Sequence, residues 1–116
     1  SNKLKEVIAD GSTVTDDEYR KARDRREPLY AAMEPIYAAY DAILTPAAQG
    51  IAPQGLSSTG SPMFNFLWTY LGVPAISLPL LEVDGLPLGV QLVGRRDGDA
   101  HLLAVAEAAM KILAPR

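Results

Sequence analysis

Leu71-Gly72-Val73-Pro74-Ala75-Ile76-Ser77-Leu78-Pro79-Leu80 and, shortly after, Gly85-Leu86-Pro87-Leu88-Gly89-Val90-Gln91-Leu92-Val93-Gly94 are the two stretches on which the fold turns. Residues 75–80 form a short apolar run between prolines, which reads as a buried strand. In 88–93, Gly89 and Gln91 alternate with Leu88, Val90 and Leu92, the period of a second strand. Asp84-Gly85 between them is a turn signal, although Pro79 and Pro87 leave a simple tight hairpin open.

Outward from this pair, Ala42 to Thr45 reads as a further buried strand closed by Pro46. Residues 46–60 form a loop of about 15 residues, long enough to be functional. Ser61-Pro62 opens a helix that Gly72 and Pro74 close. Met63, Phe64, Phe66, Leu67, Trp68, Tyr70 and Leu71 make that helix apolar nearly all round, so burial on most sides is expected. Asp97 or Asp99 caps a last helix over 99–113, with Leu102, Val105, Ala106, Ala109 and Leu113 as its buried stripe.

On the N-terminal side, Thr15-Asp16-Asp17-Glu18 is a capping box. The helical stretch 15–40 that it opens carries opposite charges at helical spacing and should break or kink near Pro28 and Pro35. Residues 1–14 read as a partly disordered or tag-derived end. The order helix-strand-helix-strand-strand-helix is an α/β pattern.

Composition narrows the function. The 116 residues contain no cysteine, which excludes disulfide scaffolds and thiolate metal sites, and the formal charge of -3 offers no footprint for nucleic acid or an anionic membrane. Residues 1–27 hold 14 of the charged residues, whereas 42–81 hold none. Prolines and glycines interrupt that uncharged stretch before any run reaches a membrane-spanning length, and no N-terminal signal segment is visible. A soluble, cytoplasmic setting is therefore expected. The Ser1-Asn2 start suggests a tag remnant or a cut end, and so a piece of a longer chain.

Few residues carry chemistry. His101 is the sole histidine and lacks metal-ligating companions, so a surface or capping role suits it. Ser57-Ser58 has no base nearby, and no Gly-rich phosphate loop occurs. Glu82, Asp84, Asp97 and Asp99 fall at turns and caps. Ser61, Asn65 and Thr69, four apart, would share one helix face; a cap plus two satisfied buried polar groups is preferred over a polar stripe lining a pocket. Gln91 reads as a satisfied core amide.

The runs Tyr40-Asp41-Ala42-Ile43-Leu44-Thr45-Pro46, Ala52-Pro53, Phe64-Asn65 with Leu71 to Pro79, and Gly85 to Gly94 resemble, in order and spacing, the C-terminal portion of amidase signature family enzymes. The resemblance covers nearly the whole chain but only about the last quarter of a usual family member. It implies a fragment of the amidase signature fold, a mixed β-sheet covered by helices, and a hydrolase acting on carbon–nitrogen bonds of a small amide substrate. Family enzymes use a serine nucleophile, a second serine on a cis peptide, a lysine base and a Gly/Ser-rich oxyanion stretch. The lysines here are Lys3, Lys5, Lys21 and Lys111, and no Gly-Gly-Ser-Ser segment occurs, so no catalytic residue carries over and the chain alone is expected to be inert.

What carries over is a pocket wall: Thr59, Pro62, Met63 and Phe66, with Ser58 and Ser61 as polar contacts. No metal or cofactor is implied. The remainder of an amidase chain is the implied partner, and bare sheet edges imply a homo-oligomer. The A subunit of a glutamyl-tRNA amidotransferase is a narrower option, ranked below the general amide hydrolases because Phe64-Asn65-Phe66-Leu67-Trp68 looks more like theirs. The alternative from another class is a non-enzymatic small-ligand-binding or assembly module on the same scaffold.

Overall fold

The computed structural model describes residues 2–113, and the chain divides into two compact units, residues 1–32 and 33–116. In the first unit, helix α1 spans Asn2–Thr13, where the sequence suggested a partly disordered or tag-derived end; Ser1 lies outside the described residues. Helix α2 spans Asp16–Asp24 and begins with the expected capping box. The Glu18 amide donates to the Thr15 hydroxyl, while the Glu18 carboxylate accepts from the Thr15 amide and hydroxyl. These backbone and side-chain hydrogen bonds hold the Glu18 carboxyl below the usual carboxylate range.

Helix α3 spans Arg26–Ala39, so the helical pattern breaks at Arg25, just before Pro28. Pro35 does not break it. It lies inside α3, where its missing N–H leaves out one intrahelical hydrogen bond.

The second unit is built on a three-stranded antiparallel sheet: β1, Ile43–Pro46; β2, Ala75–Val83; and β3, Leu86–Val93. Strand order is β1-β3-β2, which puts β3 in the middle. Strands β2 and β3 do form a tight hairpin. Asp84 and Gly85 have φ of 53° and 74°, the signature of a type I′ turn, whose twist matches that of the strands.

Both prolines fit this hairpin for local reasons. Leu78 faces Val90 and Leu81 faces Leu88, so β2 takes one extra residue at Pro79-Leu80, and Pro79 sits where the ladder is already interrupted. Pro87 faces Glu82 next to the hydrogen-bonded pair that flanks the turn, so its missing N–H would have pointed away from β2. The strands are therefore longer at the turn end than the sequence suggested.

Helix α5 spans Asp99–Leu113 and packs Leu102 and Ala106 against Leu78 and Leu92, with Ile76, Leu80, Val105, Ala109 and Met110 around them. Asp97 adopts φ 56°, and the Leu102 amide donates to the Gly98 carbonyl, so Gly98, between the two expected caps, stands at the N-cap. Helix α4 covers only Phe66–Leu71, shorter than the expected Pro62 start. The Ser61 hydroxyl turns the chain by accepting from the Met63 amide, and the helix begins at the following turn.

A Schellman closure ends α4: Gly72, at φ 66°, donates to Thr69 and Val73 donates to Trp68. The Arg96 Nε donates to the Leu71 carbonyl at 2.9 Å and caps the same end. Trp68 and Leu71 are buried, but Phe66 and Leu67 are 65% and 45% exposed, so α4 is covered on one side rather than on most. No helix of the described residues is long and apolar enough to cross a membrane.

If α5 is held by its inward stripe, neighbouring leucines should differ sharply. Leu102→Ala, at a site 3% exposed, should lower the unfolding free energy by about 2–4 kcal/mol. Leu103→Ala, at 59% exposure, should change it by less than about 0.5 kcal/mol; urea denaturation followed by circular dichroism measures both.

Candidate functional site

The face of the sheet away from α5 carries the polar residues. Thr45, Gln91 and Ser77 lie side by side across β1, β3 and β2 in register. Gln91 is 6% exposed and engaged by side chains at both ends of its amide: its Nε2 donates to Asn65 Oδ1 at 2.7 Å, and its Oε1 accepts from the Thr45 hydroxyl at 3.1 Å. The expectation of a satisfied core amide is met. Its partners come from β1 and from the residue preceding α4, so one side chain ties three segments together.

Two residues along β3, on the same face, Gly89 has no side chain, and the Ser77 hydroxyl occupies the space above it. A Cβ at position 89 would collide with that hydroxyl and lie 3.1 Å from the Ala47 Cβ. The Gly89 carbonyl accepts from the Ala47 amide at 3.1 Å, which brings the start of the 47–61 loop over this notch. Loop and sheet enclose a cavity of about 470 Å³ lined by Gln49, Pro53, Thr59, Ser61, Ser77 and Gly89 among others. A second cavity, of about 620 Å³, is more apolar and is lined by Leu44, Met63, Phe64, Leu81, Leu88 and Val90 among others. No lining residue of either is charged.

The six pocket residues expected from the sequence separate. Thr59 and Ser61 line the first cavity and Met63 the second. Ser58, Pro62 and Phe66 line neither: the Ser58 hydroxyl accepts from the Gly60 amide in a local turn, and Phe66 is exposed. The supposed stripe Ser61, Asn65, Thr69 does not form, because Ser61 precedes the helix, Asn65 is taken by Gln91 and Thr69 is exposed.

Ser77, Gly89 and Gln49 are among the lining residues that the sequence reading does not assign to a pocket. The small residues Ser77 and Gly89 stand out only once the pairing of β2 with β3 shows that they face each other's neighbourhood.

His101 has a surface role, its Nε2 lying 3.1 Å from Asp41 Oδ1, with both side chains half or more exposed. Among the described residues no group of three or more His, Asp or Glu could hold a metal ion.

A family model described as Amidase matches residues 1–103. Curated relatives include the A subunit of glutamyl-tRNA(Gln) amidotransferase from Symbiobacterium thermophilum, 32% identical over 81% of this chain and 21% of the relative. Its counterpart from Cenarchaeum symbiosum is 36% identical over 76% of this chain and 20% of the relative. The chain thus spans about a fifth of the length of these relatives.

Among solved structures, the crystal structure of an amidase superposes with a TM-score of 0.87 at 28% identity, covering 98% of this chain and 29% of that one. The A subunit of glutamyl-tRNA(Gln) amidotransferase from Thermotoga maritima superposes at 0.68 and 26% identity, over 98% and 27%. The kinship with A subunits, ranked second from the sequence, is carried by the curated relatives. The TM-score is higher against the amidase.

The polar tie has a direct test. Gln91→Leu removes both bonds and strands the Asn65 and Thr45 groups, which should cost about 1–3 kcal/mol in urea denaturation. Asn65→Ala in the Gln91→Leu background should cost less than it does alone, by about 1 kcal/mol; strict additivity would mean that the two amides do not act together.

Proposed function

The chain belongs to the amidase family, and from that premise we propose that it supplies one wall of an amide-binding pocket in a hydrolase of carbon–nitrogen bonds, without a catalytic centre of its own. The observation that carries this reading is the uncharged cavity between the 47–61 loop and the Ser77–Gly89 notch, on the same sheet face as the bonded Thr45, Gln91 and Asn65 side chains. Such a lining holds a polar ligand in a defined place.

Hydrolysis asks for more: an activated nucleophile, a base within hydrogen-bond reach and donors aimed at the oxyanion. No lysine lines either cavity. Lys3 and Lys5 lie exposed on α1, Lys21 pairs with Asp17 at 2.6 Å on α2, and Lys111 pairs with Glu107 in the last turns of α5. The lining serines have hydroxyls but no base, so they bind rather than attack. The activity belongs to the rest of an amidase chain, of which this would be the C-terminal portion.

The narrower assignment, a portion of a glutamyl-tRNA(Gln) amidotransferase A subunit, is favoured by the curated relatives, and the general amidase by the fold superposition. The rival reading is a stand-alone small-ligand-binding or assembly module on the same scaffold. Ammonia release from a panel of aliphatic and aryl amides separates catalysis from binding. No turnover above buffer is expected, and clear turnover would sink the pocket-wall reading.

A second expectation concerns assembly. Strands β1 and β2 are both edges of the sheet, and Phe66 and Leu67 on α4 and Leu44 on β1 are exposed. Such surfaces recruit cover, and we propose a homo-oligomer of the chain when it is alone. Light scattering behind a sizing column should give a dimer or larger; a clean monomer at micromolar concentration contradicts it.

A further inference from the structure

We propose that Met63 is a modification site: a peroxide oxidises its thioether to the sulfoxide, and the Gln49 amide captures the new oxygen across the neck of the 47–61 loop. Met63 stands just beyond that loop, and its sulfur is faced by the amide of a residue near the loop's other end. Gln49 Nε2 donates to Met63 Sδ at 3.8 Å. A thioether is a weak acceptor, so the amide is poorly served by this contact.

The chain contains three methionines, and the structure separates them. Met63 is 50% exposed, whereas Met33 and Met110 are both partly buried, Met110 against the core that α5 makes with the sheet. An oxidant has to reach a lone pair of the sulfur, so susceptibility follows exposure. Met63 is the thioether that a small oxidant meets first.

The oxidant is hydrogen peroxide or an alkyl hydroperoxide. A lone pair of the Met63 sulfur attacks one peroxide oxygen, the S–O bond forms and the O–O bond breaks. The departing oxygen takes up a proton and leaves as water or an alcohol. The sulfur gives up an electron pair and the peroxide accepts it.

The surroundings decide what the sulfoxide does. Met63 belongs to the wall of the larger, apolar cavity, with Leu44, Phe64, Leu81, Leu88 and Val90. A sulfoxide is a polar group, and such a wall offers it nothing to bond. Gln49 lines both cavities and supplies the donor. An oxygen on the side of the sulfur that faces Nε2 can accept an ordinary N–H···O bond of about 2.9 Å in place of the weak contact to sulfur. Oxidation thus ties the two ends of the loop more tightly and gives the apolar cavity a polar rim.

The test is oxidation of the isotope-labelled chain with dilute hydrogen peroxide, followed by peptide mass mapping and heteronuclear NMR. Met63 should be oxidised at least about threefold faster than Met33 and Met110. In the oxidised chain the side-chain amide signals of Gln49 should move downfield, the direction of a stronger hydrogen bond, while those of Gln54 in the same loop stay in place. Methionine sulfoxide reductases, one for each sulfoxide epimer, should return the Gln49 signals to their starting positions. Met63→Leu, a volume-conserving change at an exposed apolar position, should leave the Gln49 signals indifferent to peroxide.

Met63 oxidised no faster than Met33 or Met110 overturns the assignment of the site. Preferential oxidation with unmoved Gln49 signals overturns the capture, as does a Gln49 shift that persists in Met63→Leu. None of these outcomes touches the pocket-wall reading, which the ammonia assay decides by itself.

Discussion

Strand β3 is paired on both sides, and its alternation decides what each face of the sheet can be. Leu92 points to the face where Leu78, Leu102 and Ala106 meet; Gln91, its neighbour, points to the other, where Asn65 and Thr45 wait for it. A slip of one residue would exchange them. The amide would then be buried among leucines with nothing to bond, at about 1–3 kcal/mol, and Leu92 would lose a core site of similar worth. The I′ turn at Asp84-Gly85 sets this register from one end, and the Gly94 amide, donating to the Pro74 carbonyl at 2.9 Å, closes the other. The polar face is thus part of what makes the apolar face unique, and the cavity floor inherits that definition.

Legibility in the sequence followed how local each cause was. The capping box at Thr15, the αL closure at Gly72 and the stripe of α5 depend on residues within a few positions; the first two appear as read, and the stripe holds from Leu102 to Ala109 but not at Leu113, which is 55% exposed and gives its place to Met110. Proline misled in both directions because its effect depends on which side of the chain needs a donor. Pro79 and Pro87 looked like obstacles to a hairpin, yet one sits at a bulge and the other faces away from its partner strand. Pro35 looked like a break in α3 but is accommodated within it. Ser61-Pro62 carries the signature of a helix start, yet the serine hydroxyl is taken up by a local turn and the helix waits until Phe66.

The site was legible as a region rather than as a set of residues. The resemblance pointed to the loop and to the start of α4, and Thr59, Ser61 and Met63 do line cavities there. Gln91 was recognisable as a satisfied amide because a polar residue inside an apolar strand demands partners, but the partners were not, since Asn65 and Thr45 lie 26 and 46 positions away. Ser77 and Gly89 belong to the same class of long-range fact. Their significance lies in a steric relation across two strands, and alternation alone supplies the face but not the neighbour.

The stretch from 42 to 81 without a charged residue first suggests simple burial, yet much of its loop is exposed. Burial therefore explains Trp68, Leu71 and Leu78 but not the exposed positions 48–50 and 52–63. Two other demands fit those positions. A cavity that takes a neutral group excludes fixed charges from its walls, because an unpaired charge there would bind water or an ion in the ligand's place. A surface that other protein must cover excludes them too, since each would lose hydration without a partner. Phe66, Leu67 and Leu44 are exposed apolar residues, whereas Gln49, Thr59 and Ser61 line the cavity. The same missing charges thus run through both the lining of the cavity and the exposed apolar residues beside it.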